Sequence, residues 1–253
     1  MRLHGERDGS GPRIVLLHGF GQTGRCWGPL APALARRHEV LRLDAPGHGG
    51  SSAVTADLPT TGRLVAEAGG PAVYLGYSMG ARMALHVATG APEAVRALVL
   101  VSGTPGIEDE AERAERRAAD RALARRIRDG GVDGFVAWWL AQPMFAGLPP
   151  EGRFEDERRS NTTDGLASSL EQAGTGSQRP LWGELAAVDV PVLVVAGERD
   201  ERYAALAART ADAIGANARS VLVPGAGHSP HLEQPELTTD MVLSWVGALD
   251  GTG

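Results

Sequence analysis

The sequence has no lysine; all 25 of its basic residues are arginines. That excludes chemistry that needs a lysine amine, such as Schiff-base and pyridoxal-phosphate enzymes, and it excludes a P-loop. There is one cysteine, Cys26. No internal disulfide is therefore available, which fits a reducing cytoplasm, and Cys26 reads as a small packing residue beside Trp27. The chain also lacks a basic excess. Its net charge of −6 argues against nucleic acid as the main partner. The longest apolar runs, 97–101 and 192–196, are far too short to span a bilayer. The opening MRLHGERDGSGPR has no apolar stretch of the signal-peptide kind. The expectation is a cytoplasmic protein with no membrane and no nucleic-acid partner, its oligomeric state left open.

What is present is ordinary for a globular chain: 253 residues, 43% hydrophobic and 22% charged. Short β-rich runs recur at 13–17, 40–44, 72–76, 97–102, 191–196 and 220–224, separated by helical patterns such as 79–89 and 202–214. Nearly continuous apolar strands alternating with helices imply an α/β fold, a mainly parallel, doubly wound sheet covered on both faces. Residues 2–6 read as an antiparallel edge strand. Between 106 and 179 the character changes. IEDEAERAERRAADRALARRIRDGG reads as a charged helix, GFVAWWLAQPMF as an aromatic-rich helix stopped before Pro143, and polar helical stretches follow. This segment is an inserted helical lid, 106–179, between core segments 1–105 and 180–253.

IVLLHGFGQTG, residues 14–24, contains G-x-G-x-x-G, with Asp44 ending the next apolar run. That is the pattern of a dinucleotide site, which requires a helix to begin at the glycines. Here RCWGP intervenes, and Pro29 suggests a helix starting only there. Asp44 opens DAPGHG, where its expected task is to fix a tight turn. No cofactor is expected. The run 72–76 leads into GYSMG and then a helix. A serine on such a turn, Ser78, is lifted clear of the sheet at a helix N-terminus, and flanking glycines tolerate the strained backbone. It needs a base, expected late in the chain in the order Ser, Asp, His. GERD supplies Asp200 and GAGH supplies His228. Glu198 lies less deep in its loop, and His231 sits at the start of the last helix. A metal site of His228, His231 and Glu233 lacks further ligands. The oxyanion hole would use the backbone N–H groups of Met79 and Phe20.

LHGF, DAPGHG, GYSMG, GERD and GAGH stand in an order that resembles the α/β-hydrolase fold along the whole chain. The lid blocks TPGI, AERAERRAADR, FVAWWLAQPMFA and RRSN, with Arg82 in GYSMGAR, are similar to those of the 2-succinyl-6-hydroxy-2,4-cyclohexadiene-1-carboxylate (SHCHC) synthases of menaquinone biosynthesis. The resemblance implies a carbon–oxygen lyase that eliminates pyruvate from 2-succinyl-5-enolpyruvyl-6-hydroxy-3-cyclohexene-1-carboxylate, with the triad as base and no acyl-enzyme. It implies a small polycarboxylate substrate. It also nominates Arg116 and Arg159 as carboxylate ligands, Trp139 as a pocket wall and Tyr77 as a substrate contact. Arg82 lies one helical turn past Ser78, which points it toward the nucleophile's side. Four of the five have a plainer alternative. Arg116 could pair with Glu112, Arg82 with a nearby acid; Arg159 could be surface charge, and Trp139 lid packing. For the whole chain, a serine hydrolase of an ester, thioester or C–C bond stays open, as does a non-catalytic binding module.

Overall fold

A computed structural model describes residues 1–251. Seven strands form one sheet in the order β1-β3-β2-β4-β5-β6-β7. They are β1 (Gly5–Asp8), β2 (Arg13–Leu17), β3 (Glu39–Leu43), β4 (Ala72–Tyr77), β5 (Val95–Val101), β6 (Val192–Gly197) and β7 (Ala218–Val223). All pairings are parallel except β1 with β3. Alternate residues of each central strand feed opposite cores, as a two-residue period requires. Val15 and Leu17 join one cluster with helices α2 (Leu58–Gly69), α3 (Met79–Gly90) and α7 (Glu201–Ile214). Ile14 and Leu16 join the other, with α1 (Leu30–Leu34) and α8 (Pro235–Asp250). Burial on both faces is why these strands read as unbroken apolar runs.

The expected edge strand at 2–6 is corrected to Gly5–Asp8, which pairs Gly5 with Leu43 and Asp8 with Val40. His4 is withdrawn from it because it has other partners. Its N–H donates to Ser51 Oγ, its carbonyl accepts the Asp44 N–H, and its ring meets the Asp44 carboxylate at 2.9 Å.

Among the described residues no strand lies between β5 and β6. The segment holds α4 (Glu110–Leu140), α5 (Glu155–Arg159) and α6 (Thr163–Ala173). Asp109 caps α4 by accepting from the Glu112 N–H, and Thr162 caps α6 through the Gly165 N–H. The charged and aromatic stretches are one α4 broken at Gly131, whose φ of 70° and ψ of 176° only glycine takes readily. A third apolar cluster joins α4 to α6 through Ala124, Ile127, Phe135, Leu166 and Leu170, and Phe20 packs against it from the core.

Because the sheet is parallel, the loops after β2, β4, β5, β6 and β7 all emerge along one edge. The chain moves from β2 to β3 on one side and to β4 on the other, opening a crevice between the loops that follow β2 and β4. The contact between β2 and α3 is very close. A Cβ on Gly80 would lie 1.7 Å from the Leu17 carbonyl oxygen, and one on Gly76 would lie 2.2 Å from that of Gly80. Gly80→Ala is therefore expected to lower stability by on the order of 3 kcal/mol, the upper range for overpacking. Gly90→Ala, at the end of the same helix with nothing within 4 Å, should be neutral or gain up to about 1 kcal/mol. Equal thermal unfolding midpoints for the two variants would contradict the close approach.

Candidate active site

β4 ends at Tyr77, and Ser78 turns the chain into α3 with φ 52° and ψ −105°, a strained conformation for a non-glycine residue. Its N–H is tied to the Val101 carbonyl at 2.8 Å. Met79 follows as the first residue of α3, so its N–H has no intrahelical acceptor.

The loops after β6 and β7 bring an acid and an imidazole to this serine. His228 Nδ1 donates to Asp200 Oδ2 at 2.8 Å, which leaves Nε2 as the acceptor facing Ser78 Oγ at 3.2 Å. Asp200 also caps α7, its Oδ1 accepting the Tyr203 N–H at 3.2 Å. Burial raises the Asp200 carboxyl, but the hydrogen bond and charge of His228 and the Tyr203 N–H together hold it below the ordinary carboxylate range. Glu198 is occupied elsewhere, accepting the Gly225 N–H. Glu233 accepts the N–H groups of Gly227 and Ser229, at 2.7 and 2.8 Å, and so clamps the loop that carries His228. This clamp depends on loop geometry, which the sequence pattern around Glu233 does not announce. No cluster of three or more His, Cys, Asp or Glu able to hold a metal occurs among the described residues. His231 is buried against Trp27 and Tyr77, with ring centroids 5.3 and 4.5 Å away.

The turn after β2 is held by its neighbours. Gly19 N–H donates to Gln22 Oε1, Gly21 N–H to His48 Nε2 and Gln22 N–H to the Gly19 carbonyl. His18 fixes the same carbonyl at 2.8 Å through Nδ1 and accepts the Ala45 N–H at Nε2. The N–H of Phe20 is used by none of these bonds. Asp44 holds the turn to the loop after β3, accepting the Gly24 N–H at 2.7 Å and the Gly50 N–H at 2.8 Å. The first helix after the glycines is α1, preceded by Pro29. No helix therefore begins at the G-x-G-x-x-G stretch, as a dinucleotide site would require.

Between the helical segment α4–α6 and Ser78 lies a cavity of about 430 Å³, lined among others by Phe20, Arg82, Arg116, Trp139, Tyr203 and His228. A narrow cleft sharing Phe20, Ser78, Trp139 and His228 runs on to Tyr77 and Arg158. Arg82 is buried. Its Nη1 donates to the Ala173 carbonyl at 2.7 Å and approaches Gln178 Oε1 at 3.4 Å, and burial lowers it to about 10. Arg116 stands in the wall, paired with Asp120 at 2.8 Å rather than with Glu112. Trp139 lines the cavity, edge-on to Phe20 and stacked on Phe135. Tyr77 presents its ring to the cleft, but its hydroxyl shares a 2.6 Å hydrogen bond with Ser229 Oγ.

Arg159 requires a correction. It faces outward, bound to Asp133 at 2.8 Å and Glu155 at 3.3 Å. Its neighbour Arg158, 1% exposed, enters the cleft instead. Arg158 donates from Nε to the Arg153 carbonyl at 2.7 Å and from Nη1 to Gly21 at 3.5 Å. Phe154, left-handed at φ 48°, ψ 45°, sets the phase of α5, and one residue is about 100° of helix. Nothing in the pair RR tells the two apart. Neither Arg82 nor Arg158 has a carboxylate partner among the described residues. Tyr203 is a further wall residue that the sequence reading missed, its ring edge-on to His228 at 4.6 Å. Its place three residues after Asp200, in the first turn of α7, was the available signal.

A family model described as the alpha/beta hydrolase family matches residues 14–241. The chain is 36% identical over 250 residues to a Bacillus subtilis (strain 168) protein provisionally named 2-succinyl-6-hydroxy-2,4-cyclohexadiene-1-carboxylate synthase, covering 93% of this chain and 90% of that one. It is 34% identical over 232 residues to the enzyme of that name from Escherichia coli O1:K1, covering 88% and 89%. Its structure is similar to that of MenH from S. aureus, with a TM-score of 0.89, 29% identity, and coverage of 98% and 99%.

The buried histidines make the site acid-sensitive. Burial lowers His18, and lowers His48 and His231 to about 3 and His86 to about 4. Their folded values lie below the unfolded value near 6.5. The stability they contribute is present above that pH and is lost as pH falls toward the folded values. Each ring that only the unfolded chain protonates costs about 1.4 kcal/mol per pH unit. Together they should lower the melting temperature by on the order of 10 °C per pH unit between pH 6.5 and 4. A flat profile over that window would show that these rings are not held neutral.

Proposed function

The chain belongs to the alpha/beta hydrolase family and, within it, to the group of the SHCHC synthases, and from that membership we propose a carbon–oxygen lyase that releases pyruvate from 2-succinyl-5-enolpyruvyl-6-hydroxy-3-cyclohexene-1-carboxylate. The observation that carries the reading is the pair of buried guanidinium groups, Arg82 and Arg158, that lack an acid partner and flank Ser78. A buried unpaired charge is costly unless a counter-charge arrives. A substrate with three carboxylates supplies one, and planar guanidinium groups suit carboxylates in bidentate geometry. A simple acyl ester does not.

The triad geometry supports the following course. His228 Nε2 accepts the Ser78 proton, and Asp200 stabilises the imidazolium that forms. Ser78 Oγ then removes the ring proton at C2, next to the succinyl carbonyl. The N–H groups of Phe20 and Met79 hold the negative charge that develops on that carbonyl oxygen. As the C2–C3 double bond forms, the C3–C4 double bond moves to C4–C5 and the C5–O bond breaks. Enolpyruvate leaves and becomes pyruvate on protonation at its methylene carbon. No bond to Ser78 forms at any stage. Arg82, Arg158 and Arg116 hold carboxylates, and Trp139 and Tyr77 wall the ring. A small-molecule substrate and a single buried thiol fit a cytoplasmic reaction, and no helix among the described residues is long and apolar enough to cross a membrane.

Purified protein given this substrate should release pyruvate. Ser78→Ala should lower kcat/KM by on the order of 10³-fold or more, in line with the loss of a catalytic base. Arg158→Met should raise KM by roughly 30-fold, about 2 kcal/mol for a buried charge pair, whereas Arg159→Ala should change it less than about twofold, as expected for an exposed ion pair. Pyruvate release that survives Ser78→Ala, or an acyl adduct on Ser78 found by intact-mass measurement during turnover, would overturn the lyase reading.

A further inference from the structure

Helix α5 has five residues, too few to be stable alone. Its position must come from contacts with what surrounds it. Three side chains in or just after it reach the core. Glu157 accepts from Thr23 Oγ1 at 3.2 Å and lies 3.7 Å from Arg25. Arg158 reaches the Gly21 carbonyl. Asn161, buried at the end of the turn, is the most connected: its Oδ1 accepts the Gly49 N–H at 2.9 Å, and its Nδ2 donates to the Arg158 carbonyl at 3.0 Å and approaches that of Gly21 at 3.5 Å. One amide thus joins the lid helix to the turn after β2 and the loop after β3.

The core atoms it binds are themselves fixed. Gly21 N–H is held by His48, and the loop beyond Gly49 is held by Asp44 through Gly50 N–H. The amide needs both its ends here. An aspartate would present only acceptors to the Gly21 and Arg158 carbonyls, and an alanine would reach neither turn.

We propose that Asn161 and Glu157 are positioning residues that dock α5 on the core and thereby hold Arg158 in the cleft that Ser78 also lines, so that they set the affinity for the substrate carboxylate without touching it. This rests on the reading that Arg158 receives a carboxylate. It predicts a defect in KM rather than kcat, because a pre-placed carboxylate ligand acts on ground state and transition state alike.

The test is steady-state pyruvate release from the enolpyruvyl substrate for Asn161→Ala, Asn161→Asp and Glu157→Ala, each alone and combined with Arg158→Met, with melting temperatures recorded for all. Asn161→Ala and Asn161→Asp should raise KM tenfold or more and Glu157→Ala two- to fivefold, with kcat within threefold of the parent. In the Arg158→Met background each further change in KM should shrink below twofold, since the residue they position is gone. Arg159→Ala, on the same helix but facing outward, should alter melting temperature at most. Equal KM factors in both backgrounds, or unchanged KM in Asn161→Ala and Glu157→Ala while Arg158→Met raises it, would overturn the positioning role. If Arg158→Met itself leaves KM unchanged, the carboxylate reading fails and the proposal falls with it. Glu157 is partly exposed, so its variant carries the test should the Asn161 variants not fold.

Discussion

The backbone of Ser78 is the constraint on which the site depends. A φ of 52° is held at a non-glycine residue only because glycines at 76 and 80 let β2, β4 and α3 meet at distances that a side chain would forbid. That single turn aims Oγ at the loops after β6 and β7, exposes the first N–H of α3, and places Arg82 one helical turn along the same face. Every other component can be described by how it is brought to this fixed point.

Those components are brought by hydrogen bonds whose two ends both have structural tasks. Asp200 starts α7 with one oxygen and orients His228 with the other. Asp44 gathers two loops and His4. His18 and His48 act as neutral spacers, each taking a backbone N–H on one ring nitrogen and holding a carbonyl with the other. Their tautomers are set by these bonds. The scaffold around the site is thus built from uncharged rings and paired acids, and the unpaired charge is left to the guanidinium groups facing the cavity.

This division explains what the sequence could and could not reveal. The sheet was legible because burial on both faces makes its central strands continuous apolar runs, and Ser78, Asp200 and His228 because each lies within a few residues of a strand's C-terminal end. Strand position carries that information. The helical segment between β5 and β6 offers no such ruler. Arg158 and Arg159 are adjacent and identical in kind, and a five-residue helix has no hydrophobic period to fix its phase. What separates them is the backbone of Phe154 and a set of contacts more than a hundred residues away in sequence. The edge strand slid for a similar reason, since His4 is claimed by Asp44 and Ser51, and no local pattern announces that. Glu233 was visible as an acid near His228, but its role as a clamp for two N–H groups depends on loop geometry alone.

The absence of lysine acquires a meaning at Arg82. Burial lowers its guanidinium to about 10, which leaves it charged at neutral pH. An ammonium group starts from a lower value than a guanidinium and gives up its proton more readily when buried. A cavity furnished with arginine therefore keeps its positive field across the physiological pH range, whatever the surrounding medium.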